Sequence, residues 1–99
     1  MPIAGKHELL VLVVYDIRSP KRLARMGRRM KDFGVRVQNS VFECRLAVSE
    51  YPRLKDAALK IVDPRVDSLR LYRICAACEE KVDFLGAEVP GLPDDVLVL

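Results

Sequence analysis

Asp16 is the residue where chemistry could begin. It follows a run of apolar residues at 9–15 (LLVLVVY) and stands just before a segment crowded with cations. Strand ends of α/β sheets are common places for a functional carboxylate. A carboxylate beside phosphate-binding arginines suits magnesium, which usually takes one or two carboxylates and keeps several waters. Such an ion activates water and stabilises a departing oxygen in phosphodiester cleavage. A turn or capping aspartate is the plainer reading of the same position. One carboxylate per chain is also a thin ligand set. Glu43, Asp63 and Asp67 are present, but nothing in their spacing brings them to Asp16. A two-fold axis pairing two copies of Asp16 would supply the second ligand.

The neighbouring cations could hold a phosphate. Residues 18–36 contain Arg18, Lys21, Arg22, Arg25, Arg28, Arg29, Lys31 and Arg36 against a single acid, Asp32. The segment therefore carries about +7, while the rest of the chain is net acidic. A concentrated basic stretch suggests a polyanion at one surface. Arg22, Arg25 and Arg36 are best placed to reach a phosphate near Asp16. Arg18 and Lys21 lie in the preceding turn, and Arg29 lies further along. Contacts of this kind give salt-dependent, largely sequence-independent affinity. A solvated helix face is the alternative. Tyr15 could stack on a base or orient a phosphate. Alternation along a strand makes Tyr15 and Asp16 diverge, which leaves core packing as the other role for Tyr15.

Cys75-Ala-Ala-Cys78 is a CxxC. A structural zinc site normally needs four ligands, and only Cys44 and His7 remain to complete one. Cys75 ends a strand pattern and reads as a buried core cysteine. A single histidine excludes a histidine-based acid/base pair within one chain. No P-loop, G-x-S-x-G or H-E-x-x-H pattern occurs.

These residues need elements to position them. Residues 9–15 are continuous and rich in β-branched side chains, as in a strand buried on both faces. Ser19-Pro20 reads as N-cap and first helical residue. Leu23, Met26, Met30 and Phe33 then fall on one helical face, with Arg22, Arg25 and Arg29 toward the other, and Gly34 stops the helix. Residues 35–48 have strand character broken at Asn39-Ser40, which predicts a short strand, a tight turn or bulge, and a longer strand. A second helix is expected over 49–62, with Pro52 near its start. Leu54, Ala57, Ala58, Ile61 and Val62 form its buried face, and Asp63-Pro64 ends it. Residues 68–75 alternate as another strand. A further short strand is expected at 82–86. Residues 87–99 read as a tail that ends in a strand, added to its own sheet or to a partner's.

The order strand, helix, strand, strand, helix, strand is an α+β, ferredoxin-like split βαβ sandwich, here with a C-terminal edge strand. The 99 residues suit one domain. Two helices cover one sheet face, and a second subunit is the simplest cover for the other. Hydrophobic content of 51% with 31% charged residues is a globular composition. The longest apolar run is far short of the roughly 20 residues of a membrane span. Without a signal-peptide pattern, and with an odd number of cysteines, a cytoplasmic location is expected.

Several strings act in combination. Val-Tyr-Asp-Ile stands at 14–17, Lys-Arg-Leu at 21–23, Phe-Gly-Val-Arg-Val-Gln-Asn-Ser-Val-Phe-Glu-Cys at 33–44 and Asp-Ser-Leu-Arg-Leu-Tyr at 67–72. Together with Lys81-Val82, Gly86 and the apolar end, they resemble the Cas-two family of CRISPR adaptation proteins, in particular the branch found with subtype I-C systems. The resemblance implies a ferredoxin-like homodimer whose two Asp16 residues face the dimer cleft and share one magnesium, or manganese, ion. It implies nuclease roles for Asp16, Tyr15, Arg22, Arg25, Arg36 and Phe42, with RNA or double-stranded DNA as substrate. It implies assembly with the CRISPR integrase during spacer acquisition. The basic surface of Arg18, Lys21, Arg22, Arg25, Arg29 and Arg36 would then track nucleic acid. Val96, Leu97, Val98 and Leu99 would form an integrase contact or a swapped strand.

Three readings follow. The first is a metal-dependent endonuclease. The second is a non-catalytic scaffold that holds spacer DNA for the integrase. The third is an RRM-like RNA binder, which expects aromatics on the two middle strands, with Phe42 and Tyr72 as the platform.

Overall fold

A computed structural model describes residues 8–81 and 83. The strands are β1 (Glu8–Asp16), β2 (Val35–Gln38), β3 (Val41–Ala47) and β4 (Ser68–Cys75). The helices are α1 (Pro20–Met30), α2 (Tyr51–Leu59) and a short α3 (Ala76–Glu79). A 3-10 turn at Val48–Glu50 leads into α2. The sheet order is β2-β3-β1-β4, with every neighbouring pair antiparallel. This is the expected ferredoxin-like arrangement, and the apolar β1 is central in it.

Register sorts the side chains by face, because successive residues leave a strand on opposite sides. Val11, Val13 and Tyr15 of β1 share one face with Phe42, Cys44 and Leu46 of β3, and all are buried. Leu69 and Leu71 of β4 extend that face and are partly buried. Met26 and Met30 of α1 and Leu54 and Ala58 of α2 cover it and are themselves fully buried. Full burial of a large apolar side chain such as Met26, Met30 or Leu54 contributes about 1.5–3 kcal/mol of hydrophobic stabilisation. The opposite face presents Leu10, Leu12 and Val14, flanked by Ile74, Tyr72 and Arg70 on β4 and by Arg45, Glu43 and Val41 on β3.

Helix α1 begins as its sequence dictates. Ser19 is the N-cap, its Oγ accepts the Arg22 N–H at 3.2 Å, and Pro20 opens the helix. The buried face differs from the expected line. It runs Met26, Gly27 and Met30, while Leu23 is 40% exposed and Phe33 is half-buried. Leu23 instead borders a cleft with Pro20, Ala24, Arg36, Asn39 and Ser40. The helix also ends four residues before Gly34, at Met30, and residues 31–33 form turns. Gly34 serves a tighter need than helix termination. A Cβ there would lie 2.1 Å from the Glu43 carbonyl oxygen and 2.7 Å from the Cys44 Cα, so only glycine lets this segment touch β3.

The β2–β3 hairpin turns at Asn39-Ser40, with a register shift between Arg36 and Gln38. Helix α2 is shorter than the expected 49–62. Its entry is a 3-10 turn in which Glu50 Oε1 accepts the Ala47 N–H at 3.2 Å. Its exit tightens where the N–H groups of Ile61 and Val62 both turn back to the Ala58 carbonyl. Ile61 is nonetheless buried beside Leu54, Ala57 and Ala58.

Helix α3 was not legible from the sequence. It packs against β1 and β4, and Glu79 accepts both ends of the Arg45 guanidinium from β3. Cys75 and Cys78 are exposed, contrary to the buried position expected for Cys75. Cys75 ends the edge strand β4, where no further strand covers it among the described residues. Of the short strand expected at 82–86, only Asp83 is described, and it is neither helix nor strand. His7 and the tail at 87–99, with its terminal strand, lie outside the described residues. No described helix is long and apolar enough to cross a membrane.

Candidate functional site

Asp16 is the last residue of β1 and is exposed. It pairs with Ser68 of β4 and lies on the same sheet face as Leu10, Leu12 and Val14. Its carboxylate makes no hydrogen bond or ion pair among the described residues, so it is available to a ligand at the end of an apolar stripe. Tyr15 turns the other way. It is 3% exposed, its ring centroid lies 6.4 Å from that of Phe42, and its N–H donates to the Ser40 carbonyl at 3.1 Å.

The turn after Asp16 is fastened by Asp67. One Asp67 carboxylate accepts four hydrogen bonds: from Arg22 Nε (2.8 Å) and Nη2 (3.0 Å), the Arg18 N–H (2.9 Å) and the Asp63 N–H (2.8 Å). Its side chain has no exposed surface. It therefore ties the β1–α1 turn, the first turn of α1 and the loop before β4 into one unit. The Arg22 guanidinium holds the Asp67 carboxyl well below the usual carboxylate range, against the opposing effect of burial; the Arg18 and Asp63 N–H groups assist. The same hydrogen bond raises the Arg22 pKa.

This brace changes the part assigned to Arg22. Both ends of its fork are occupied by Asp67, so it positions the turn that carries Asp16 and is not an open phosphate clamp. The other acids do not gather at Asp16 either. Asp63 pairs with Arg65 at 3.1 Å. Glu43 is opposite Leu12, four residues along β1 from Asp16, which is roughly 13 Å at strand rise. Among the described residues no three His, Cys, Asp or Glu side chains group as a metal site. Among the described residues one chain offers magnesium Asp16 at this place, an exposed oxygen donor that fits an ion retaining most of its waters if a second carboxylate joins it.

Apart from Arg22 and Lys31, the cations of residues 18–36 divide into three places. Arg18 and Lys21 are exposed at the Asp16 end of α1. Arg25, Arg28 and Arg29 line a groove between α1 and α2, with Arg53 and Lys60 opposite and only Asp32 and Asp56 as acids. Within it Arg29 pairs with Asp32 at 2.6 Å, and the guanidiniums of Arg29 and Arg53 lie 5.1 and 5.6 Å from the Phe33 ring centroid. Arg36 is held against the core. Its Nη1 donates to the Asn39 carbonyl at 2.6 Å, and its Cζ sits 5.0 Å from the Phe42 centroid. A Cβ on Gly27 would come within 2.5 Å of its Nη2.

Phe42 has no exposed surface, so it cannot touch a substrate in this arrangement; it supports Tyr15 and Arg36. This also removes the RRM-like platform. Phe42 faces the helices, while Tyr72 stands on the opposite face of an edge strand. Two residues were missed from sequence. Asp67 carries the brace, and Arg70 stands opposite Val14 on the face of Asp16, with its Nη1 3.5 Å from the Tyr72 hydroxyl. The sequence marks 68–75 as a strand, with Tyr72 grouped with its apolar residues against Arg70; the register with β1 instead puts Arg70 and Tyr72 together on the face of Asp16.

The chain matches the family model described as CRISPR associated protein Cas2 over residues 9–82. It is 34% identical to a protein of Chlorobaculum tepidum named CRISPR-associated endoribonuclease Cas2, over 92% of this chain and all of that one. It is 36% identical to a CRISPR-associated endonuclease Cas2 of Halalkalibacterium halodurans, over 81% of this chain and 88% of the relative. Among solved structures, Streptococcus pyogenes Cas2 superposes with a TM-score of 0.66 at 38% identity, covering 78% of this chain and 99% of that one. By these matches and by its fold, the chain belongs to the CRISPR-associated Cas2 family.

Proposed function

We propose that the protein is a homodimeric, magnesium-dependent endonuclease that acts on RNA or double-stranded DNA and supports spacer acquisition. The observation that carries this reading is the position of Asp16. Its exposed carboxylate ends an apolar stripe of Leu10, Leu12 and Val14 on the sheet face opposite α1 and α2. Two copies joined through that face would bury the stripe and bring two Asp16 carboxylates toward one axis.

In that dimer each Asp16 would supply one oxygen ligand to a shared magnesium, or manganese, ion. When bound, the ion lowers the pKa of a water and neutralises charge on the scissile phosphate. Arg18 and Lys21 bind flanking phosphates at the start of α1. Asp67 and Arg22 keep the turn between Asp16 and α1 from shifting. Tyr15, Phe42 and Arg36 pack behind the strand end and fix its direction. The names of the relatives from Chlorobaculum tepidum and Halalkalibacterium halodurans support a nuclease of this kind.

A second reading, a scaffold that holds spacer DNA for the CRISPR integrase, draws on one observation. The groove of Arg25, Arg28, Arg29 and Arg53 lies between the helices, on the sheet side opposite Asp16. Binding there would be independent of the carboxylate. The tail residues Val96 to Leu99 would serve as the integrase contact in either case.

Asp16→Asn in the purified full chain separates the two. The nuclease reading expects magnesium-dependent cleavage to fall by about a hundredfold or more, since the chemistry is lost, with duplex affinity nearly unchanged. Cleavage at the wild-type rate would sink it. The scaffold reading expects spacer acquisition to survive Asp16→Asn and to fail when Arg25 and Arg29 are reversed to glutamate.

A further inference from the structure

Cys75 closes β4 and Cys78 follows three residues later in α3. Both are exposed, whereas Cys44 is buried. Cys75 occupies the position before the first residue of α3, and Cys78 is the third residue of that turn. Groups at those two positions face each other, as in a capping box. Both sulfurs therefore belong to one exposed turn at the junction of β4 and α3. The pair is asymmetric. Donors converge on Cys75 and favour its thiolate, so its thiol titrates below an ordinary cysteine. The Cys78 thiol donates to that sulfur and titrates above one.

We propose that Cys75 and Cys78 form a reversible dithiol–disulfide couple, with Cys75 as the attacking thiol and Cys78 as the resolving one. The oxidant is a low-molecular-weight disulfide. The Cys75 thiolate attacks one of its sulfurs, forming a mixed disulfide and releasing the first small thiol. Cys78 then gives its proton to solvent and attacks the Cys75 sulfur, releasing the second small thiol. Two protein thiols are oxidised to one disulfide, and the small disulfide is reduced to two thiols. Glu79, in the same turn as Cys78, is tied to Arg45 of β3, so ring closure acts on an element anchored across the open sheet face. The couple does not depend on the proposed nuclease.

Cys44 supplies an internal standard, because burial pushes its thiol up to about 12 and keeps it inert. The test incubates the full chain in mixtures of reduced and oxidised glutathione, quenches in acid, alkylates and maps the thiols by mass. The wild type should lose alkylation at Cys75 and Cys78 together, as an internal disulfide, with Cys44 retained. Cys78→Ser should accumulate glutathione on Cys75. Cys75→Ser should leave Cys78 reacting roughly tenfold more slowly than Cys75 does. The proposal is overturned if both serine variants react at equal rates, or if both thiols stay free in the most oxidising mixture. A disulfide formed only between chains, or zinc retained until the pair is alkylated, would overturn it as well.

Discussion

Gly27→Ala probes how Arg36 is held. A methyl at residue 27 would begin 2.5 Å from Arg36 Nη2, whereas ordinary contact starts near 3.4 Å. The guanidinium must therefore retreat by about an ångström, because contacts that close are strongly repulsive. Retreat stretches the bond to the Asn39 carbonyl and lifts Cζ from the Phe42 ring. A hydrogen bond from a charged group contributes about 1.5–3 kcal/mol. A cation over an aromatic face adds about 0.5–1 kcal/mol. Alanine in a helix interior gains about 1 kcal/mol over glycine. Partial loss of the first two against gain of the third leaves Gly27→Ala between neutral and about 2 kcal/mol destabilising. In an Arg36→Ala background the methyl meets no guanidinium, and the substitution should stabilise by about 1 kcal/mol. The cycle should close with a coupling of about 1–3 kcal/mol. Urea unfolding of the four proteins at one fixed chain concentration measures it. A coupling below about 0.3 kcal/mol would refute the placement of Arg36.

The Asp67 brace makes stability depend on acid. Arg22 depresses the folded pKa of Asp67, so its contribution is present above the unfolded value, about 3.9, and fades as pH falls toward the folded one. Thermal melts should therefore decline more steeply below about pH 4 for the wild type than for Asp67→Asn; identical acid limbs would contradict the brace. Leu12→Lys places a charge in the open stripe and should yield a folded monomer in light scattering, whereas a persistent dimer would move the interface elsewhere. Reversing Arg25 and Arg29 to glutamate should shallow the dependence of log affinity on log salt by about 0.9 for each duplex phosphate no longer neutralised, and an unchanged slope would remove the helix groove from the binding surface. Gly34→Ala should cost about 1–3 kcal/mol in urea unfolding as β3 is pushed aside; an unchanged midpoint would contradict the close approach.

Local signals in the sequence were enough for much of this fold. The β-branched run of β1, the Ser19-Pro20 start of α1 and the Asn39-Ser40 break each report on their own neighbourhood, and each stands where expected. Residues 33–44 also carried the family resemblance. What was hidden is long-range. Arg22 and Asp67 are 45 residues apart, so no local pattern joins them. Alternation told which side chains share a face but not which face meets the helices. The family resemblance implied a site role for Phe42, whose side chain is wholly buried in the core. Leu23 continued a helical period that fits a core, but the buried line passes through Gly27, where Arg36 fills the space a side chain would take. Cys75 looked buried because it completed an apolar alternation, while its strand is an edge among the described residues.

The proposed nuclease requires two Asp16 carboxylates to share one ion. A crystal structure of the full chain grown with manganese, with the metal located by anomalous scattering, tests it directly. One peak is expected on the two-fold axis of a dimer packed through the Leu12 face, with the two Asp16 carboxylates about 4–6 Å apart, as ligands of one small, partly hydrated cation. Asp16 carboxylates more than about 10 Å apart cannot both ligate one such ion; that separation, or a peak bound away from Asp16, would contradict it.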